Sequence, residues 1–127
     1  MSGVRTPSFV PPGWPRMATR IFAADARGFV QFLADVFGAT GDYQTDRPSE
    51  IRIGDSVLLI SGVAERAAMG AFLYVYVDDA DAAYRRAIAA GARSLEAPAN
   101  MMYGDRRAMV EDRWGNTWQI ATFRGPV

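Results

Sequence analysis

Two stretches of this chain end in the same way. Residues 53–61, IGDSVLLIS, align with residues 114–122, WGNTWQIAT: a glycine followed by Asp or Asn at a turn, then a run suited to a strand. Upstream, Phe37-Gly38-Ala39 aligns with Ala90-Gly91-Ala92, each at the end of an amphipathic stretch. A chain that repeats a supersecondary unit is tightly constrained, because two similar modules must each find a buried face and usually pack to share one surface. The second copy carries eight more residues between its helix and its hairpin. They are expected in a loop over 98–106, and loops added to one copy often shape a binding face.

The elements are set by local pattern. Residues 16–24 read as a strand. Asp25 is placed to cap a helix over 26–37, in which Phe29, Phe32, Leu33, Val36 and Phe37 fall on one stripe and Gly38 ends the helix. Strands are predicted over 40–45, 50–53 and 56–61, with Gly54-Asp55 as a hairpin turn. Residues 71–77, AFLYVYV, are aromatic and β-branched, the strongest strand signal in the chain. Asp78 and Asp79 cap a second helix over 80–90, whose stripe is Ala80, Ala83, Tyr84, Ala87 and Ile88 and which Gly91 ends. A short strand over 92–96, a loop containing Pro98, a strand over 107–111, the turn Asp112-Arg113-Trp114-Gly115-Asn116 and a strand over 117–123 complete the order β-α-β-β-β, β-α-β-β-β. In the last strand, alternation puts Gln119 on one face between Thr117 and Ala121, with Trp118 and Ile120 on the other. Residues 1–15 hold four of the seven prolines and are extended. They are either a loose tail or an arm on a neighbouring subunit with Phe9 and Trp14 as anchors. The expected organisation is that arm and then one domain over 16–127, with modules at about 16–62 and 70–123.

Composition removes several functions. Fourteen basic and fourteen acidic residues cancel, which gives no electrostatic case for nucleic acid or an anionic membrane. There is no Cys and no His. A thiol nucleophile, a disulfide and an imidazole acid–base or metal ligand are all absent from the repertoire. No apolar run reaches the length of a membrane span, and a cytoplasmic location is expected by default.

The motifs Phe32-Leu33 with Phe37-Gly38-Ala39, Ile53-Gly54-Asp55-Ser56, residues 73–81, Ala90-Gly91-Ala92, Tyr103-Gly104-Asp105-Arg106 and residues 114–118 occur in an order and spacing that resembles the vicinal oxygen chelate superfamily. That superfamily includes glyoxalase I, extradiol dioxygenases and bleomycin and fosfomycin resistance proteins. Within it the chain is most similar to the PhnB-like branch. The resemblance spans residues 16–123. It implies an α+β fold of two βαβββ modules, a cupped mixed sheet with the helices on its outer face, and a homodimer. Family enzymes hold a divalent metal in the cup through His, Glu or Gln on the first and last strands of each module. The corresponding positions here fall near Ala18 or Thr19, Leu58, Ala71 or Phe72, and Gln119; of these, only Gln119 offers a metal donor. Three ligands are ordinarily needed, so no metal and no cofactor is expected. Oxygen donors at Glu50, Glu111 or Asp112 are the remaining alternative.

The resemblance puts Arg20, Phe22, Phe72, Tyr74, Tyr76 and Gln119 in the cup, with Met101, Met102, Tyr103 and Trp114 in loops over its mouth. Such a surface suits a flat organic ligand, and Arg20 suits an anionic or carbonyl group. The expected function is metal-free binding of a planar or aromatic antibiotic or metabolite. The alternative is a lyase, isomerase or dioxygenase of the same superfamily, with Glu111, Tyr74 and Tyr103 as candidate acid–base groups.

Overall fold

The computed structural model describes residues 9–64 and 66–125; residues 1–8 of the expected arm lie outside them. The element order is β1 (Thr19–Phe22), α1 (Ala26–Phe37), β2 (Ser49–Ile53), β3 (Ser56–Ser61), β4 (Phe72–Tyr76), α2 (Ala80–Ala89), β5 (Arg93–Asn100), β6 (Asp105–Glu111) and β7 (Thr117–Phe123). They form two sheets, β1-β3-β2 and β4-β7-β6-β5. In each, the first strand of the module lies parallel to the last, and the remaining neighbours are antiparallel.

Both helices start where the sequence places them. The Asp25 carboxylate accepts from the Gly28 amide at 3.1 Å, and Asp79 accepts from the Ala82 amide at 3.1 Å. Gly38 closes α1 at φ 66°, a left-handed conformation that favours glycine. Phe29, Phe32, Leu33 and Val36 of α1 are buried with Ile21, Ile51, Leu58 and Ile60 of the first sheet and with Val110, Trp118 and Ile120 of the second. One hydrophobic core thus joins the modules. On α2 the buried stripe is Ala80, Ala83 and Ala87, whereas Ile88 is exposed.

Two predicted elements change. The strand over 40–45 is reduced to one bridge, Thr40 to Arg52. Gly41 turns the chain at φ 117°, and the Gln44 amide bonds the buried Ser49 hydroxyl at 2.7 Å instead of a strand neighbour. The first sheet therefore has three strands and the second four. The loop predicted over 98–106 is instead a longer hairpin, with β5 running to Asn100 and a tight turn at 101–104. Pro98 is tolerated because β5 is an edge strand with register shifts between Ser94 and Ala99.

The hairpins of the two modules differ in a way that turns one strand over. β2 and β3 close across a two-residue turn, with Ile53 opposite Ser56; β6 and β7 close across a five-residue turn, with Glu111 opposite Thr117. In β7, Trp118 and Ile120 enter the core; in β3, Leu58 and Ile60 do. Aligning the glycines sets Gln119 against Leu58, yet Leu58 faces the helices. Leu59, opposite Arg20, stands on the open face. A one-residue slip reverses every side chain of a strand.

The five-residue turn is built on the buried carboxylate of Asp112. It accepts from the Trp114 and Asn116 amides at 2.9 Å each, from Asn116 Nδ2 at 3.0 Å and from Trp118 Nε1 at 2.8 Å. Replacing Asp112 by Ala leaves these donors unpaired in the interior. The expected loss is about 3–5 kcal/mol, measured by urea denaturation. Asp55→Ala, in the exposed turn of the first hairpin, is expected to cost less than about 0.5 kcal/mol.

Candidate functional site

Strand alternation sorts the second sheet into two faces. Leu73, Val75, Trp118 and Ile120 face the core. The opposite face carries Phe72, Tyr74 and Tyr76 from β4; these lie across from Thr117, Gln119 and Ala121 of β7, and Met109 of β6 lies beyond Gln119. This face is open: Phe72 is 67% exposed, Tyr74 41% and Tyr76 61%. The Tyr74 and Tyr76 rings stand 5.4 Å apart at 55° to each other.

Beside these rings, on the same face, is a polar network centred on a buried carboxylate. Asp105, 3% exposed, accepts from the Tyr74 hydroxyl at 2.5 Å and from the Tyr76 hydroxyl at 3.0 Å, both on Oδ2. Arg107 Nη1 donates to the Tyr103 hydroxyl at 3.3 Å, and Nη2 pairs with Glu96. Arg107 Nε is buried without a partner. Burial and the bond to Asp105 push the Tyr74 phenol far above its usual range; the bond to Asp105 is also the main cause of the rise at Tyr76. Both hydroxyls are therefore protonated at neutral pH, and their protons are committed to Asp105.

The largest cavity, about 720 Å³, runs along the seam between the modules. Tyr74 and Tyr76 line it together with Phe37, Leu58, Trp118 and Met17. Arg20 and Phe22 share the open face of the first sheet but not this cavity. Arg20 lies over the Phe22 ring at 4.9 Å, donates to Ser61 Oγ at 3.0 Å, and lines a separate cavity of about 240 Å³ with Tyr43 and Arg47. Trp14 is held in the same chain, with Arg52 over its ring at 5.8 Å and bonded to the Gly13 carbonyl.

The predicted site residues are thus only partly brought together. Phe72, Tyr74, Tyr76 and Gln119 share one face, and Tyr103 joins them through Arg107. Met102 stands at the tip of the β5–β6 turn, 88% exposed. Trp114, expected over the mouth of the cup, instead packs on α1, 5.2 Å from Phe29 and 5.5 Å from Phe32. Asp105, Arg107 and Glu96 join this face through their hydrogen bonds, and sequence reading did not single them out. Alternation along β6 was the available signal, because it separates Arg106, bonded to Asp81 on α2, from Arg107 on the open face.

The donors at the family's metal positions do not suit a divalent ion. Phe72 and Leu59 supply only carbon, Leu58 is in the core, and Gln119 brings one amide. Glu50 pairs with Arg52 and Glu111 with Arg93, while Asp112 is consumed by its turn. Among the described residues, no three His, Cys, Asp or Glu side chains cluster.

Paired mixed sheets with helices on one side and an open face on the other define the glyoxalase-type architecture. The model of the Glyoxalase/Bleomycin resistance protein/Dioxygenase superfamily matches residues 17–120, and the chain belongs to that superfamily. No curated protein sequence matches it. Among solved structures, TioX from Micromonospora sp. ML1 is similar at 21% identity and a TM-score of 0.74, over 86% of this chain and 98% of that one. A family enzyme from Burkholderia phytofirmans PsJN is similar at 22% identity and 0.70, over 84% and 96%. The fosfomycin resistance protein FosX from Mesorhizobium loti is similar at 21% and 0.64, over 85% and 91%. These likenesses establish the fold.

The raised phenol pKa of Tyr74 fixes a sign for stability against pH. The native state holds this proton more tightly than the unfolded chain does. Its contribution is complete below the unfolded value, near pH 10, and is lost as pH rises beyond it. Stability is expected to fall above about pH 10, and Tyr74→Phe is expected to flatten that fall in urea titrations at stepped pH.

Proposed function

We propose that this protein is a metal-free small-molecule-binding member of the superfamily, of the PhnB-like branch, that holds a planar or aromatic antibiotic or metabolite. The observation that carries this reading is the row Phe72, Tyr74 and Tyr76: exposed rings on one strand, beside the seam cavity, with Phe72 near a position where family enzymes set a metal donor. Flat π-faces on a fixed scaffold give large contact area at small cost in side-chain freedom. Met17 and Phe37 extend the apolar contact into the seam. Arg20, braced by Phe22 and Ser61, serves a second and smaller subsite for an anionic or carbonyl group. In this reading the protein acts as a homodimer, with a second copy walling the open side of the sheets.

Catalysis is disfavoured on physical grounds. A base must be available near neutral pH, but Tyr74 is held protonated and Glu111 is paired with Arg93. The polar groups present orient a ligand; none is poised to take its proton.

A panel of flat aromatic antibiotics and metabolites tests the proposal. A true ligand is expected to raise the melting temperature by roughly 5–10 °C at about a hundredfold excess over Kd and to alter the emission of Trp118, which lines the seam. Tyr74→Ala and Tyr76→Ala are each expected to weaken binding by about tenfold. Binding is expected to survive EDTA. A stoichiometric metal in protein purified without chelator, or no thermal response across the panel, would overturn the proposal.

A further inference from the structure

Arginine covers aromatic rings throughout this chain. Guanidinium groups lie over Phe9, Trp14, Phe22, Tyr43 and Trp114 at 4.6–5.8 Å from the ring centroids. Among the described residues none lies over Phe72, Tyr74 or Tyr76, although all three are exposed. Exposed Tyr103 and Phe123 are likewise uncovered, and Phe123 shares the open face of the second sheet with the row, so the exposed aromatic rings without a cation gather around the proposed binding row.

Charge around that row is net negative. Asp105 lies on the same face as Tyr74 and Tyr76 and accepts a hydrogen bond from each hydroxyl on one oxygen. Donation to a carboxylate enriches each ring in electron density. The nearby Arg107 is matched by Glu96, so the network keeps one net negative charge at Asp105. The seam cavity repeats the pattern: it is lined by Asp55, Asp78 and a single cation, Arg86, whose Nε donates to the Val36 carbonyl. The Arg20 cavity has the opposite balance, with Arg20 and Arg47 against Asp46.

We infer that the Phe72–Tyr74–Tyr76 row is a cation-selective site, one that takes a flat ligand bearing an ammonium, amidinium or guanidinium group against the two phenol rings and Asp105. The rings supply cation–π attraction and the buried carboxylate supplies the charge. This inference rests on the proposed function and specifies its ligand class.

Three isosteric probes, benzamidinium, benzamide and benzoate, separate charge from shape. They are titrated to about 20 mM by ligand-observed NMR, a range in which fragments of this size register. The expected order is benzamidinium, benzamide, benzoate, with benzamidinium about three- to tenfold tighter than benzamide. Asp105→Asn is expected to abolish the preference while benzamide still binds. Should that variant fail to fold, Tyr76→Leu, at an exposed position, is expected to cut benzamidinium binding more than benzamide binding. Equal affinities, or benzoate binding tightest, would overturn the cation site and leave the aromatic site standing. A preference unchanged in every folded variant would overturn its placement on this row. No binding by any probe would overturn both the cation site and the binding reading on which it rests.

Discussion

The Asp112 carboxylate decides how the second module is put together. It gathers two backbone amides, a side-chain amide and an indole N–H within seven residues. The turn satisfies all four donors in the interior, where each unpaired one is costly. Fixing Trp118 Nε1 fixes the phase of β7, because the indole must lie on the core side against Phe37, 4.8 Å away. Gln119 is then forced outward. The same turn reaches β4: Asn116 Oδ1 accepts from the Ala71 amide at 3.0 Å, and the Thr117 amide bonds the Ala71 carbonyl at 2.8 Å. Gly70 passes so close to the Gly115 carbonyl that a Cβ would collide with it. The pairing of Tyr74 with Gln119, and hence the composition of the open face, descends from this one buried charge.

The first module has no such knot, and its last strand is phased differently. A two-residue turn brings β3 back one residue out of phase with β7 relative to the turn glycine, so that Leu58 points to the helices and Leu59 to the open side. The repeated motif is thus alike in sequence and unlike in facing. The family's metal-ligand positions end here as carbon on the first sheet and as a phenylalanine and one amide on the second.

The parts of this architecture legible from sequence were those governed by local rules. Helix α1, its Asp25 cap and its Gly38 stop depend on spacing within one turn, and β3 and β7 were found to the residue. What was not legible depended on contacts distant in sequence. Residues 40–45 have strand composition, but Gly41 and the Ser49 hydroxyl remove them from the ladder. Pro98 signals a loop unless one knows that β5 is an irregular edge. Trp114 sits in a turn beside exposed neighbours, and only the position of α1 reveals that it is core. Asp105, Arg106 and Arg107 are adjoining charges in the sequence, with nothing local to tell one from another. Their roles appear when β6 is paired, which sends Arg106 to Asp81 on one face and Arg107 to Glu96 and Tyr103 on the other.

That separation underlies the proposed binding role. A catalytic tyrosine needs a proton it can release or a partner able to take one near neutral pH. Tyr74 and Tyr76 instead both donate to the same oxygen of a buried carboxylate, which deepens their hold on their protons. Such an arrangement has its rings fixed in advance and needs no rearrangement when a ligand arrives. Preorganisation of this kind lowers the entropic cost of binding. It also ties the two rings to β6 through Asp105, so that β4, an edge strand paired on one side only with β7, is braced at the point where a ligand would press on it. The hydrogen bonds that hold the two phenols protonated are the ones that tie β4 to β6, so the proposed binding surface gains its bracing from the same contacts.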